Sequence, residues 1–118
     1  MKQDTKVKTA KLDNNTDDVI LKINVGNGHP SLTTLFRNGK KVTELQSPYE
    51  DYKIDSKKNL IGNDLLIVTT VHDLPETPNE VLVTHTLNDA TLVQADYDIK
   101  VDEGEVAICS TQVYCLNK

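Results

Sequence analysis

"SLTTLFRNGKKVTEL", Ser31 to Leu45, reads two ways, and the choice between them decides the fold class. Leu32, Leu35 and Phe36 fall at i, i+3 and i+4, with Ser31 as N-cap and Gly39 as a C′ glycine, which fits a two-turn helix. Asn38-Gly39, however, is the strongest hairpin dipeptide, because both residues tolerate the positive φ of a two-residue turn. Closing the turn there sets Leu35 against Val42, Thr34 against Thr43 and Leu32 against Leu45, so like meets like. That matching favours the hairpin.

Working outward, the neighbouring segments also read as strands. "VILKINV" (residues 19–25) is a strand, and "VGNGHPS" after it is a turn in which Gly26, Asn27 and Gly28 allow positive φ. A phosphate loop would need a helix beginning at those glycines, and His29-Pro30 holds the chain extended instead. "VKTAKL" (residues 7–12) can form an edge strand through Val7, Ala10 and Leu12. "LLIVTTVHD" (65–73) is apolar on both faces at its start, as a central strand would be, and "EVLVTHTL" (80–87) follows after "LPETPN". If that connection closes a hairpin, Val71 lies near Val81 or Leu82, with His72 and His85 several pairs apart. "YDIKV" (97–101) alternates, and a tight turn at Glu103-Gly104 would set Val106 opposite Val101 and Ile108 opposite Ile99.

Eight or nine short strands with turn signals every 8 to 12 residues predict one all-β domain over residues 1–118. The expected architecture is an antiparallel two-sheet β-sandwich, immunoglobulin-like in size, with residues 1–5 as a flexible N-terminal tail. A small open β-barrel is the alternative. A chain this long needs no metal or disulfide to fold. Tyr97, near the start of a late strand, is a candidate tyrosine corner.

Composition argues against several functions. The net charge of −5 opposes binding to phosphate backbones and anionic membrane surfaces, and basic residues do not cluster, so no nucleic-acid role is expected. No apolar run approaches the roughly 20 residues of a membrane span. Compartment stays open between a cytoplasmic protein and a mature exported domain whose signal peptide has been removed. Cys109 and Cys115 are six residues apart on one strand, about 20 Å, too far for a disulfide. Free thiols are expected.

Few residues suggest chemistry. No nucleophile elbow surrounds any serine, and the histidines, His29, His72 and His85, are expected to be exposed or turn-capping. No enzyme is expected. "DNNTD" supplies Asp13, Asn15 and Asp17 in an Asp-x-Asn-x-Asp pattern suited to calcium, although the following positions break the EF-hand rule. The loop "HDLPETPNE" is acidic and stiffened by two prolines; Asp73, Pro75, Glu76 and Pro78 form a candidate recognition loop, with Tyr49 and Tyr52 as candidate contact aromatics. The expected function is a non-enzymatic module that binds a protein or glycan through end loops or a sheet face. A calcium-dependent binding domain and an acidic inhibitor or immunity-type protein, acting through carboxylates such as Asp73, Glu76 and Glu80, are the alternatives.

Overall fold

Every alternating run becomes a strand. The computed structural model describes residues 1–46, 48–73 and 78–118, apart from the side chains of Tyr49 and Glu50. In chain order its elements are β1 (Lys2–Leu12), β2 (Asp18–Val25), β3 (Ser31–Arg37), β4 (Lys40–Gln46) and β5 (Tyr49–Ser56). A single helical turn, α1 (Lys57–Leu60), precedes β6 (Asp64–His72), β7 (Glu80–Leu87), β8 (Val93–Lys100) and β9 (Val106–Asn117). A five-stranded sheet in the order β1-β9-β6-β3-β4 packs on a four-stranded sheet in the order β5-β2-β7-β8. The result is a β-sandwich. Its pairs are antiparallel except β1 with β9, which run parallel. The strand order is not the ABED/CFG arrangement of an antibody constant domain, although the size is comparable.

The deciding stretch is a hairpin, with Asn38 at φ 51 and Gly39 at φ 80. Its register departs from the expected one. Phe36 pairs with Lys41 but Leu35 pairs with Thr43, so Val42 is an extra residue, a bulge that shifts every later pair by one. The gain is burial: Leu45 now joins Leu35 and Thr33 on the inner face, and Val42 is left exposed. β6 lies between β9 and β3, as its doubly apolar sequence implies. Lys2 to Thr5, expected as a tail, pair in register with Ala107 to Ser110.

Two expected hairpins do not form. β8 and β9 belong to different sheets, and so do β6 and β7, so both connections cross the sandwich. A β8–β9 hairpin would have buried Val106 and Ile108; the crossover instead buries Ala107, Cys109, Thr111, Val113 and Cys115 against the opposite sheet. β9 carries packable residues in both phases, so alternation could not choose between the two faces. Cys109, which that hairpin would have sent to the face of Asp98, is fully buried. It and Cys115 are free thiols.

One end of the sandwich is tied by Arg37. Its guanidinium donates to Asp55 Oδ2 at 2.9 Å and to the Asn59 carbonyl at 2.8 Å, joining β3 of one sheet to β5 and α1. That hydrogen bond, with help from Asn59 and the Ser56 N–H, holds the Asp55 carboxyl below its ordinary value. Beneath it Leu60 plugs the core with no exposure.

Candidate functional site

The acidic loop is built differently from its reading in sequence. Pro75 and Glu76 lie outside the described residues, but Asp73 and Pro78 flank them. Asp73 is buried, not projecting: its Oδ1 sits 3.1 Å from Nε2 of His29, whose ring is sealed from solvent. Nε2 is also 2.8 Å from the Pro78 carbonyl, an acceptor only, so Nε2 carries a proton and donates it between the two oxygens. Nδ1 of the same ring is buried without a hydrogen-bond partner. This cluster closes one end of the sandwich, where Pro30 O also accepts the His72 N–H.

The other named residues do not converge. Tyr49 and Tyr52 are on β5 opposite Ile23 and Leu21, and Tyr52 is half-buried against the core rather than offered as a platform. In the β1–β2 turn, Asn15 Oδ1 accepts the Asp17 N–H at 3.0 Å. The backbone carbonyls of Asn15 and Asp17 accept the N–H groups of Lys58 and Lys57 at the start of α1. The turn thus satisfies donors that so short a helix leaves open. Asp13 lies 3.8 Å from the Lys118 ammonium. Among the described residues, no three His, Cys, Asp or Glu side chains gather in a way that could hold a metal ion.

Two features were not foreseen, and both belong to the five-stranded sheet. The first lies on its inner face. Thr33, Thr69 and Thr111 are fully buried there, and His85 reaches across from β7, also with no exposure. Its Nε2 is 2.7 Å from Thr69 Oγ1 and its Nδ1 is 2.8 Å from Thr111 Oγ1. Thr69 continues to Thr33 at 2.7 Å, and Thr111 continues to the Tyr97 hydroxyl at 2.7 Å. Tyr97 in turn donates to the Ser110 carbonyl. That carbonyl can only accept, which orients the chain as far as the ring: Tyr97 donates to Ser110, Thr111 to Tyr97, and His85 Nδ1–H to Thr111. A neutral imidazole therefore has its proton on Nδ1, and its Nε2 accepts from Thr69. Burial pushes its pKa down to about 4, which agrees with this assignment. Burial likewise raises the Cys109 thiol to about 12, helped by Asp4, and the Cys115 thiol to about 11, helped by Asp64. These groups bind structure together; they are closed to substrates.

The second feature lies on the outer face of the same sheet. Pair registers align Val7, Gln112, Leu66, Phe36 and Lys41 across all five strands. The next rows are Thr5, Ser110, Val68, Thr34 and Glu44, then Gln3, Ile108, Thr70, Leu32 and Gln46. Val7 is 64% exposed and Tyr114, one row beyond, 43%. Apart from Met1, every exposed large hydrophobic side chain among the described residues is on a strand of this sheet. A shallow depression of about 300 Å³, lined by Phe36, Gly39, Asp64, Leu66 and Gln112, lies on this face. The opposite outer face, on the four-stranded sheet, presents Lys22, Glu80, Gln94, Asp96, Asp98 and Lys100. The signal for the apolar face in the sequence is the doubly apolar start of β6, which marks a central strand and also supplies Leu66 and Val68 to its outward phase.

Comparison with known proteins finds no family model, no curated protein and no solved structure that matches the chain. Among the described residues no helix is long and apolar enough to cross a membrane.

Proposed function

We propose that the protein is a non-enzymatic binding module that recognises a protein partner through the outer face of its five-stranded sheet. The observation that carries this reading is the segregation of exposed apolar side chains onto that one face. Contiguous exposed apolar surface costs solubility, and where it persists in a folded domain it marks an interaction site. A binding role is favoured over catalysis because the imidazole of His85 and both thiols are sealed in the core, where no substrate reaches them. A basic partner held by the acidic loop is less well supported: Asp73 is buried against His29, and Glu80 pairs with Lys100 at 2.9 Å. A protein is favoured over a glycan because the face offers aliphatic side chains and hydroxyls more than exposed aromatic rings.

The test places a photoreactive phenylalanine at Val7, on this face, or at Gln94, on the opposite one. After irradiation in extract of the organism of origin, covalent protein adducts are expected from the Val7 position and not from Gln94. Absence of adducts at Val7, or equal yields at both positions, would overturn the reading.

A further inference from the structure

Three properties of the outer face bear on what it binds. The first is charge. In the rows from Gln3 to Gln46 and from Thr5 to Glu44, and in the row through Leu66, charged side chains occur only at the β4 edge, where Lys41 and Glu44 pair with each other. Within these three rows the interior of the face is neutral; Asp64, in the row of Tyr114, places one carboxylate beyond them at the start of β6. The second is hydrogen-bonding character. Its polar groups are hydroxyls and carboxamides (Thr5, Thr34, Thr70, Ser110, Gln112), each of which both donates and accepts. Such a surface can satisfy a copy of itself, which a row of carboxylates or ammonium groups cannot. The third is size. Five strands about 4.8 Å apart, averaging roughly nine residues at about 3.3 Å each, cover roughly 700 Å² as a whole sheet, of which the three neutral rows make up about two-thirds, against the roughly 800 Å² per partner of a standard interface.

Net charge bears on the same choice. A chain of charge −5 ought to repel its own copy. Much of the acidity, however, is carried by the other sheet and its turns, at Asp18, Asp89, Glu80, Asp96 and Asp98. In a face-to-face pair those carboxylates point away from the contact, with the thickness of two sandwiches between them. Sheets in one sandwich are already about 10 Å apart. The repulsion therefore acts across more than a Debye length of about 8 Å at physiological salt, and it is screened.

We propose that the occupant of the outer face of the five-stranded sheet is a second copy of this chain, joined face to face about a twofold axis. This rests on the reading of that face as the interaction surface and adds the identity of the partner. Leu66, Val68, Ile108 and Phe36 form the apolar centre of the contact, and the hydroxyls and amides around them pair across it. The lysines along β1, Lys2, Lys6, Lys8 and Lys11, guard the free strand edge, so association goes through the face and not through edge pairing.

The test is sedimentation velocity of the purified full chain, from micromolar to sub-millimolar concentration, at low and at physiological salt. A species of twice 13.1 kDa is expected to grow with concentration, with little dependence on salt because the contact is neutral. Leu66→Lys places one ammonium group per copy at the centre and should remove the dimer, at least a tenfold loss of association. Val7→Lys, on a largely exposed position of β1, should weaken it with little effect on folding; Asp96→Lys, on the opposite sheet, should not. A monomer at all concentrations would overturn the proposal, and so would a dimer that both Leu66→Lys and Val7→Lys leave intact. The two readings fail separately: a chain that stays monomeric when pure but crosslinks from Val7 to a protein of different mass keeps its binding face and loses only the self-partner.

Discussion

The two faces of the five-stranded sheet each carry side chains of the type expected on the other, the inner ones within a face that is otherwise aliphatic. Inside, the sheet buries three threonine hydroxyls and the histidine that serves them; outside, it shows water Val7, Leu32, Phe36, Leu66 and Val68. These three buried hydroxyls are tolerable because each has a partner. An unpartnered one would cost about 1–3 kcal/mol. The exposed aliphatic side chains have no such compensation within the chain, which is why they point to a partner outside it. Order within the histidine–threonine network is internally complete. Order on the surface is not.

The strongest way to break the contrast is to remove the imidazole. His85→Leu leaves Thr69 and Thr111 each short of a partner, and urea unfolding should show a loss of about 2–4 kcal/mol. Adding Thr69→Val and Thr111→Val to His85→Leu should recover much of that loss, because the orphaned hydroxyls go with their partner. If the triple variant is as unstable as the single one, packing and not hydrogen bonding holds the centre.

Acid should act on the same group. His85 titrates near 4 when folded and near 6.5 when unfolded, so as pH falls the unfolded chain takes up the proton first. Stability is complete above the unfolded value and declines through the window from 6.5 to about 4, by about 3 kcal/mol at about 1.4 kcal/mol per unit. A stability–pH curve should show this slope in the wild type and lack it in His85→Leu. An NMR measurement of the imidazole should find the neutral ring protonated on Nδ1. Proton density on Nε2 instead would make Thr111 donate to the ring and leave the one Tyr97 hydroxyl proton to serve both Thr111 and the Ser110 carbonyl, which would break the assigned chain.

The outer face should respond in the opposite manner. Leu66→Lys should change stability by less than about 1 kcal/mol while removing the interaction, because a half-buried surface position contributes little to the core. A large loss of stability would mean that this face belongs to the fold. The smallest effect is expected on the four-stranded sheet. Lys100→Ala breaks an exposed ion pair with Glu80 and should leave the melting temperature unchanged within error.

Much of this architecture is legible in the chain. Asn38-Gly39 announces its hairpin, and the alternating runs mark the strands because a period of two survives without tertiary context. The core network was also open to reading. His85 shares its phase with Val81, Val83 and Leu87, Thr69 with Leu65, Ile67 and Val71, and Thr111 with Ala107 and Val113. Polar residues in a buried phase, in three separate strands, imply that they meet. The acidic loop misled for the reverse reason: Asp73 looks exposed by type, and only its approach to His29, 44 positions away, accounts for its burial.

By itself, then, the sequence determined the strands, most of the turns that end them and the buried phase of those strands that are apolar on one side only, since these follow from φ preferences and side-chain alternation within a few residues. Which strands are neighbours was decided only by the tertiary structure. β8 and β9 alternate well enough to pair with each other, yet they cross to opposite sheets. Period two is blind to that choice, because β9 has packable residues in both phases, and its neighbours decide that Ala107, Cys109, Thr111 and Val113 rather than Val106 and Ile108 turn inward. The apolar outer face is a product of that choice. Val7, Leu66, Phe36 and Ile108 come from four strands distant in sequence, and only the packing of whole sheets sets them side by side.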